Sequence, residues 1–201
     1  MKTIKRNYLQ DMIDVMGTPD IKVITGVRRS GKSELLHMFI DYIKNNVDKA
    51  NIIYIDFNLD MYDNLKQYKE LIEYVSSKYN KTKNNFILID EVQMCDGFEK
   101  AINNFHAEAK YDIYITGSNA FLLSSDLATL FTGRTYSIEV YPFSYKEFLS
   151  YHNLDNNEES YDRYVLEGGF SGSYLYKGLD KKYNYIGDVY KTLIVRDIIT
   201  R

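Results

Sequence analysis

Ile21-Lys22-Val23-Ile24-Thr25-Gly26-Val27-Arg28-Arg29-Ser30-Gly31-Lys32-Ser33 begins as a short β-branched run and ends in the pattern G-x-x-x-x-G-K-S. Four β-branched residues in five, stopped by a glycine, predict a buried strand. Downstream, Leu35, Leu36, Phe39, Ile40 and Ile43 recur at helical spacing, so Lys32–Asn45 is predicted helical. Strand, glycine-bearing loop and helix form the context in which this pattern binds phosphate. The glycines let the backbone curl its amides toward anionic oxygens, and the helix offers its positive N-terminus to the same anion. Lys32 adds a mobile charge for β- and γ-phosphates, and the Ser33 hydroxyl is suited to ligate Mg²⁺. The candidate nucleotide-binding residues are therefore Gly26, Val27, Arg28, Arg29, Ser30, Gly31, Lys32, Ser33 and Glu34. At least one of Arg28 and Arg29 is expected to anchor the loop by a salt bridge.

Outward from this loop the pattern alternates. Strands are predicted at Asn51–Asp56, Phe86–Asp90, Ile113–Thr116 and Tyr136–Val140, and helices at Ile4–Met16, Asp63–Tyr79, Phe98–Ala109 and Ala120–Phe131. Strands alternating with helices imply a parallel sheet covered on both faces, a three-layer α/β/α fold. Beyond Pro142 the strands stop. Ser144-Tyr145-Lys146-Glu147 fits a capping box that opens a helix to about Tyr151. Further helices are expected over Glu158–Glu167 and Asn184–Thr200, with Gly168-Gly169-Phe170-Ser171-Gly172 as a turn between them. Residues 1–141 thus read as an α/β core and 142–201 as a small helical lid. The last helix runs to Arg201 without a glycine or proline stop, so the natural protein is expected to continue.

A second signal is Phe86-Ile87-Leu88-Ile89-Asp90-Glu91, fifty-eight residues from Lys32 to Asp90. A carboxylate at the tip of a strand neighbouring the loop strand sits where Mg²⁺ needs it, because ligands bind beyond the carboxyl ends of parallel strands. Asp90 and Ser33 are the candidate metal ligands, and Glu91 is the candidate base or orienter for an attacking water. The strand ending at Thr116 carries Gly117-Ser118-Asn119, any of whose polar side chains, or that of Thr116, fits a γ-phosphate contact or a helix cap. Arg134, after Gly133, is expected on the rim of the nucleotide site, able to reach the γ-phosphate of a neighbouring subunit. Lys32, Glu91, Asn119 and Arg134 complete the catalytic set. Asn80-Lys81-Thr82-Lys83 lacks the aspartate that guanine-reading loops use, which leaves adenine as the default base.

Composition excludes several classes. In 201 residues, 45% are hydrophobic and 26% charged, enough apolar side chain for a core and against disorder. The net charge of −3 gives no global pull on nucleic acid or an anionic membrane. Apolar runs such as Phe86–Ile89 fall far short of the roughly 18–20 residues that span a bilayer. No signal peptide is legible, and the lone Cys95 cannot form an internal disulfide, so a cytoplasmic protein is expected. His37, His106 and His152 lack metal-ligand spacing, and no zinc site is expected.

Together, Ile24–Ser33, Leu88-Ile89-Asp90-Glu91-Val92-Gln93, Ile115–Asn119 and Gly133-Arg134, followed by Pro142-Phe143-Ser144 and Glu147-Phe148-Leu149, resemble the AAA+ superfamily of P-loop ATPases. More narrowly they are similar to the prokaryotic and archaeal-type ATPases with a C-terminal nuclease-like domain of unknown function. The resemblance implies a Walker A role for Lys32 and Ser33, Walker B for Asp90 and Glu91, a sensor region at Ser118-Asn119 and a finger at Arg134. It further implies ATP and Mg²⁺ as cofactors and a homo-oligomer through Arg134. Ser171 stands where the family turn after two glycines carries proline. The leading expectation is an ATP-hydrolysing enzyme or switch. A nucleotide-binding regulatory module with negligible hydrolysis, and a small-molecule kinase, are the alternatives.

Overall fold

The computed structural model describes residues 4, 6–117, 131 and 133–195. Five strands, β1 (Ile21–Thr25), β2 (Ala50–Asp56), β3 (Asn84–Asp90), β4 (Tyr111–Thr116) and β5 (Thr135–Glu139), form one sheet in the order β2-β3-β4-β1-β5. Every pairing is parallel. Parallel strands need crossovers, and α2 (Lys32–Asn46), α3 (Tyr68–Lys78) and α4 (Phe98–Glu108) lie in the connections β1 to β2, β2 to β3 and β3 to β4, while α1 (Asn7–Asp14) precedes the sheet.

Side-chain alternation along the strands divides the core in two. Ile21, Val23, Ile53, Ile55, Ile87, Ile89, Ile113 and Ile115 face α3 and α4, where Leu71, Val75, Ala101, Ile102 and Phe105 cover them. Ile24, Phe86, Leu88, Tyr114 and Ile138 face the other way, under Met12 of α1 and Leu35, Leu36, Phe39, Ile40 and Ile43 of α2. Such two-sided cover is why the strands read as continuous apolar runs. Lys22 interrupts β1 yet is fully buried, its ammonium donating to the Thr18 carbonyl and to Asp112 Oδ1, both at 2.6 Å. Partnering of this kind is the condition for a charge in a core.

Two expectations are corrected. The span Asp63–Tyr79 is not one helix: a 3₁₀ segment, Asp60–Leu65, precedes α3, and between them Gln67 makes a parallel bridge to Asp96. Its apolar periodicity continues through the break, so nothing in the local sequence announces it. The strand of Asp90 is also not the neighbour of the loop strand, because β4 lies between β1 and β3. The helix expected over Ala120–Phe131 falls outside the described residues except for buried Phe131.

After the sheet come α5 (Tyr145–His152), α6 (Glu158–Glu167) and α7 (Leu179–Leu193). The capping box forms as the spacing predicts: Glu147 N–H donates to Ser144 Oγ, and Ser144 N–H to Glu147 Oε2. Asn157 caps α6 by accepting from the Ser160 amide at 2.8 Å. The third helix begins at Leu179, earlier than Asn184, and Glu167 on α6 ties to it through an ion pair with Lys182. Burial alone would raise the Glu167 carboxyl, but hydrogen bonds from Lys182 and Arg163 hold it below its ordinary value.

Candidate functional site

The turn from β1 into α2 lies at the carboxyl end of the sheet. Gly26 has φ +148°, and a Cβ there would come 2.2 Å from the Val140 carbonyl oxygen, so only glycine passes. Gly31, at φ +98°, is the residue from which α2 starts. The Lys32 side chain curls back into this loop, donating to the carbonyls of Gly26 at 2.9 Å and Val27 at 3.2 Å. A buried ammonium thus lies inside a glycine-turned loop at a helix N-terminus, an arrangement that attracts an anion.

Asp90 ends β3 fully buried. The Thr116 hydroxyl, from the end of the intervening β4, donates to Asp90 Oδ1, while Oδ2 has no hydrogen-bond partner. Burial raises its carboxyl above the ordinary range; the nearby Ser33 and Thr116 hydroxyls pull it back, and the charges of Glu91 and Asp56 push it up again. A divalent cation would satisfy the orphan oxygen and relieve the cost of burying the charge, as a proton also would. Ser33 and Asp90 therefore fit a hard cation. Glu91 follows in the left-handed region, φ 56° and ψ 51°, unusual for a residue with a side chain. Its amide donates to Thr116 Oγ1 at 3.0 Å and its carboxylate accepts from Gln93 Nε2.

Thr116, one of three residues considered for a phosphate contact, thus joins the acidic pair. Thr116→Val keeps the shape but removes a donor to buried Asp90 and an acceptor for the Glu91 amide. Leaving these groups short is expected to cost about 2–3 kcal/mol, lowering Tm in a thermal melt by roughly 4–12 °C for a chain of this size.

A cavity of about 490 Å³ opens above the loop, with Lys32, Ser33 and Glu91 on one wall and Ser171, Gly172 and Tyr185 on the other. Its size suits a nucleotide-sized ligand. Arg28 also lines it, its Nε buried without a hydrogen-bond partner. Arg29, at φ 63°, lies 4.8 Å from the ring centroid of Tyr185 on α7. Neither arginine forms an ion pair among the described residues, so the expected salt-bridge anchor is replaced by a cation–π contact. Glu34 stands in the first turn of α2, where its charge complements the helix dipole.

Arg134 is not on the rim of this cavity. It immediately precedes β5, exposed, and its carbonyl accepts from the Ile21 amide at 2.9 Å. Ile21 pairs with Thr135 at the amino ends of β1 and β5, whereas the loop follows the carboxyl end. In parallel strands those are opposite ends of the sheet, so Arg134 lies across the sheet from the loop of its own chain. Ser118 and Asn119 lie outside the described residues. Cys95 is buried, its thiol pushed up to about 12 by burial and the nearby Asp96, Glu99 and Glu70 charges, which removes thiolate chemistry. Tyr185 and Arg6 were not legible as site residues, since their contacts with the loop cross elements and carry no motif; Gln93 stands two residues from Glu91 in the quoted motif segment, but its residue type alone does not predict that hydrogen bond.

Among the described residues no helix is long and apolar enough to cross a membrane. Residues 18–149 match the sequence pattern of the AAA domain. An uncharacterised protein of Haemophilus influenzae is 36% identical over 203 residues, covering 98% of this chain and 50% of that protein. An uncharacterised protein of Methanocaldococcus jannaschii is 32% identical over 195 residues, covering 90% of this chain and 42% of that protein. The chain therefore spans about half the length of these relatives or less. Among solved structures, AMPPCP-bound DnaA from Aquifex aeolicus superposes with a TM-score of 0.54 at 18% identity, over 96% of this chain and 63% of that one, a likeness of fold. Since the matched segment runs from the turn before β1 into the first helix after the sheet, taking in all five strands and both ends of the loop, the chain belongs to the AAA domain family of P-loop, ATPase-like nucleotide-binding modules.

Proposed function

We propose that the chain binds ATP with Mg²⁺ at this cavity and hydrolyses it. The observation that carries the reading is fully buried Asp90 with one orphan oxygen, close to Ser33 of the loop and followed by Glu91. Loop amides and Lys32 receive the phosphates; Ser33 and Asp90 would hold the cation, which when bound would supply charge neutralisation to the triphosphate. Glu91 orients a water and takes its proton as the water oxygen bonds to the γ-phosphorus. The bond from that phosphorus to the β,γ-bridging oxygen breaks, leaving ADP and inorganic phosphate. Residues 142–195 act as the lid of the site, Arg29 and Tyr185 bridging loop and α7.

A second reading is a nucleotide-bound switch with slow turnover, favoured by the hydrogen bond from Gln93 that occupies the Glu91 carboxylate. The deciding experiment is phosphate release from MgATP by the purified chain: sustained release supports hydrolysis, and tight binding without release supports the switch.

The placement of Arg134 at the amino end of its own sheet, opposite the loop, adds a prediction. If it serves a neighbouring copy, specific activity rises with protein concentration, because the finger is supplied in trans. A flat dependence, measured over a hundredfold range, removes Arg134 from the catalytic set.

A further inference from the structure

Arg6 precedes α1 in extended conformation, φ −101° and ψ 147°, and is only 4% exposed. Its guanidinium reaches three separate parts of the chain at once. Nη1 donates to the Ser30 carbonyl of the loop at 2.7 Å, Nη2 to the Tyr141 carbonyl just after β5 at 2.7 Å, and Nε to Glu147 Oε1 of α5 at 2.6 Å. The rings of Tyr8 and Phe143 stand 4.8 Å and 5.0 Å from it. Glu147 balances the charge: burial alone would raise its carboxyl, but Arg6 and the Ser144 amide hold it below the usual range.

The contact with Ser30 has a directional consequence. No peptide bond among the described residues is cis. In a trans peptide the carbonyl and the following amide point in opposite directions. Holding the Ser30 carbonyl toward Arg6 therefore turns the Gly31 N–H away from Arg6, and Gly31 lines the cavity above the loop. A preset amide stabilises an anion without first reorganising the loop. The fork geometry matters, because a guanidinium can serve two carbonyls and a carboxylate together, whereas an ammonium is a point charge.

We propose that Arg6 is the positioning residue of the phosphate loop, fixing the Ser30–Gly31 peptide for anion binding while Glu147 and Tyr141 tie it to the start of the helical region. This rests on the reading of the loop as a triphosphate site. Arg6 is not among the described residues that line the cavity; it acts through one peptide plane.

The test compares Arg6→Lys and Arg6→Ala with the unaltered chain, by calorimetric titration with MgATP and, separately, with inorganic tripolyphosphate, alongside a thermal melt. Both variants are expected to bind both ligands about tenfold more weakly, some 1.4 kcal/mol, by the same factor for each ligand. A role confined to stability would lower the melting temperature and leave the affinities of the folded protein unchanged, which overturns the proposal. Loss of ATP affinity with tripolyphosphate affinity intact overturns it too, by moving the effect to the nucleoside. Arg6→Lys, which keeps the charge opposite Glu147, carries the comparison should the alanine variant fail to fold. If the unaltered chain binds neither ligand, the triphosphate reading itself falls, an outcome distinct from equal binding by all three proteins.

Discussion

Lys32→Ala is expected to remove most of the stabilisation that MgATP gives the folded chain. At a ligand concentration a hundred times its Kd, binding adds about 2.7 kcal/mol to stability. Hydrogen bonds to charged groups are worth about 1.5–3 kcal/mol each, so losing the ammonium weakens binding roughly 10- to 150-fold at a factor of ten per 1.4 kcal/mol. At the same nucleotide concentration the increment then falls to between about 0.3 and 1.4 kcal/mol. A nucleotide-dependent thermal melt reads this directly. The free protein changes as well, since Lys32 holds the Gly26 and Val27 carbonyls of the loop. The informative quantity is therefore the increment on adding nucleotide, not the melting temperature itself. An unchanged increment would mean that the anion does not enter this loop.

What could be foreseen of this molecule follows from the range over which its signals act. The segment Ile21–Ser33 was legible because strand, glycine turns and helix start are all decided within a dozen residues. The Ser144–Glu147 capping box is equally local. Strand order is not local: β4 lies between β1 and β3 although both its neighbours come earlier in the chain, so placing Asp90 beside the loop strand was an error of topology. The misplacement of Arg134 had the same origin. A helix end after β4 suggested the rim of the site, but a parallel β5 must begin at the opposite end of the sheet. Thr116 was visible as a polar strand end, yet its attachment to Asp90 and Glu91 depends on that same unseen neighbour. Arg6 gave no signal, because its partners lie 24, 135 and 141 residues away.

Glu91→Gln separates the two readings of the site. A general base contributes about 10²- to 10⁴-fold to rate, so phosphate release is expected to fall by that factor while MgATP affinity stays within a few-fold of the unaltered chain. The substitution is suited to the question because it changes charge and little else. Glutamine keeps the length, leaves the backbone amide bonded to Thr116, and inherits the same left-handed conformation, whose cost is of order 1–3 kcal/mol in either protein. Holding a side-chain residue in that conformation at the end of β3 is reasonable if its carboxylate must face the cavity, which Glu91 lines. The partner Gln93 complicates the free-protein state, since its amide occupies one carboxylate oxygen that an attacking water would otherwise approach. A fall of two orders of magnitude or more would mean that this hydrogen bond opens during turnover and that Glu91 is the base. Equal release by both proteins would mean that it stays closed, leaving a nucleotide-bound switch in which Glu91 is held by Gln93 and takes no proton.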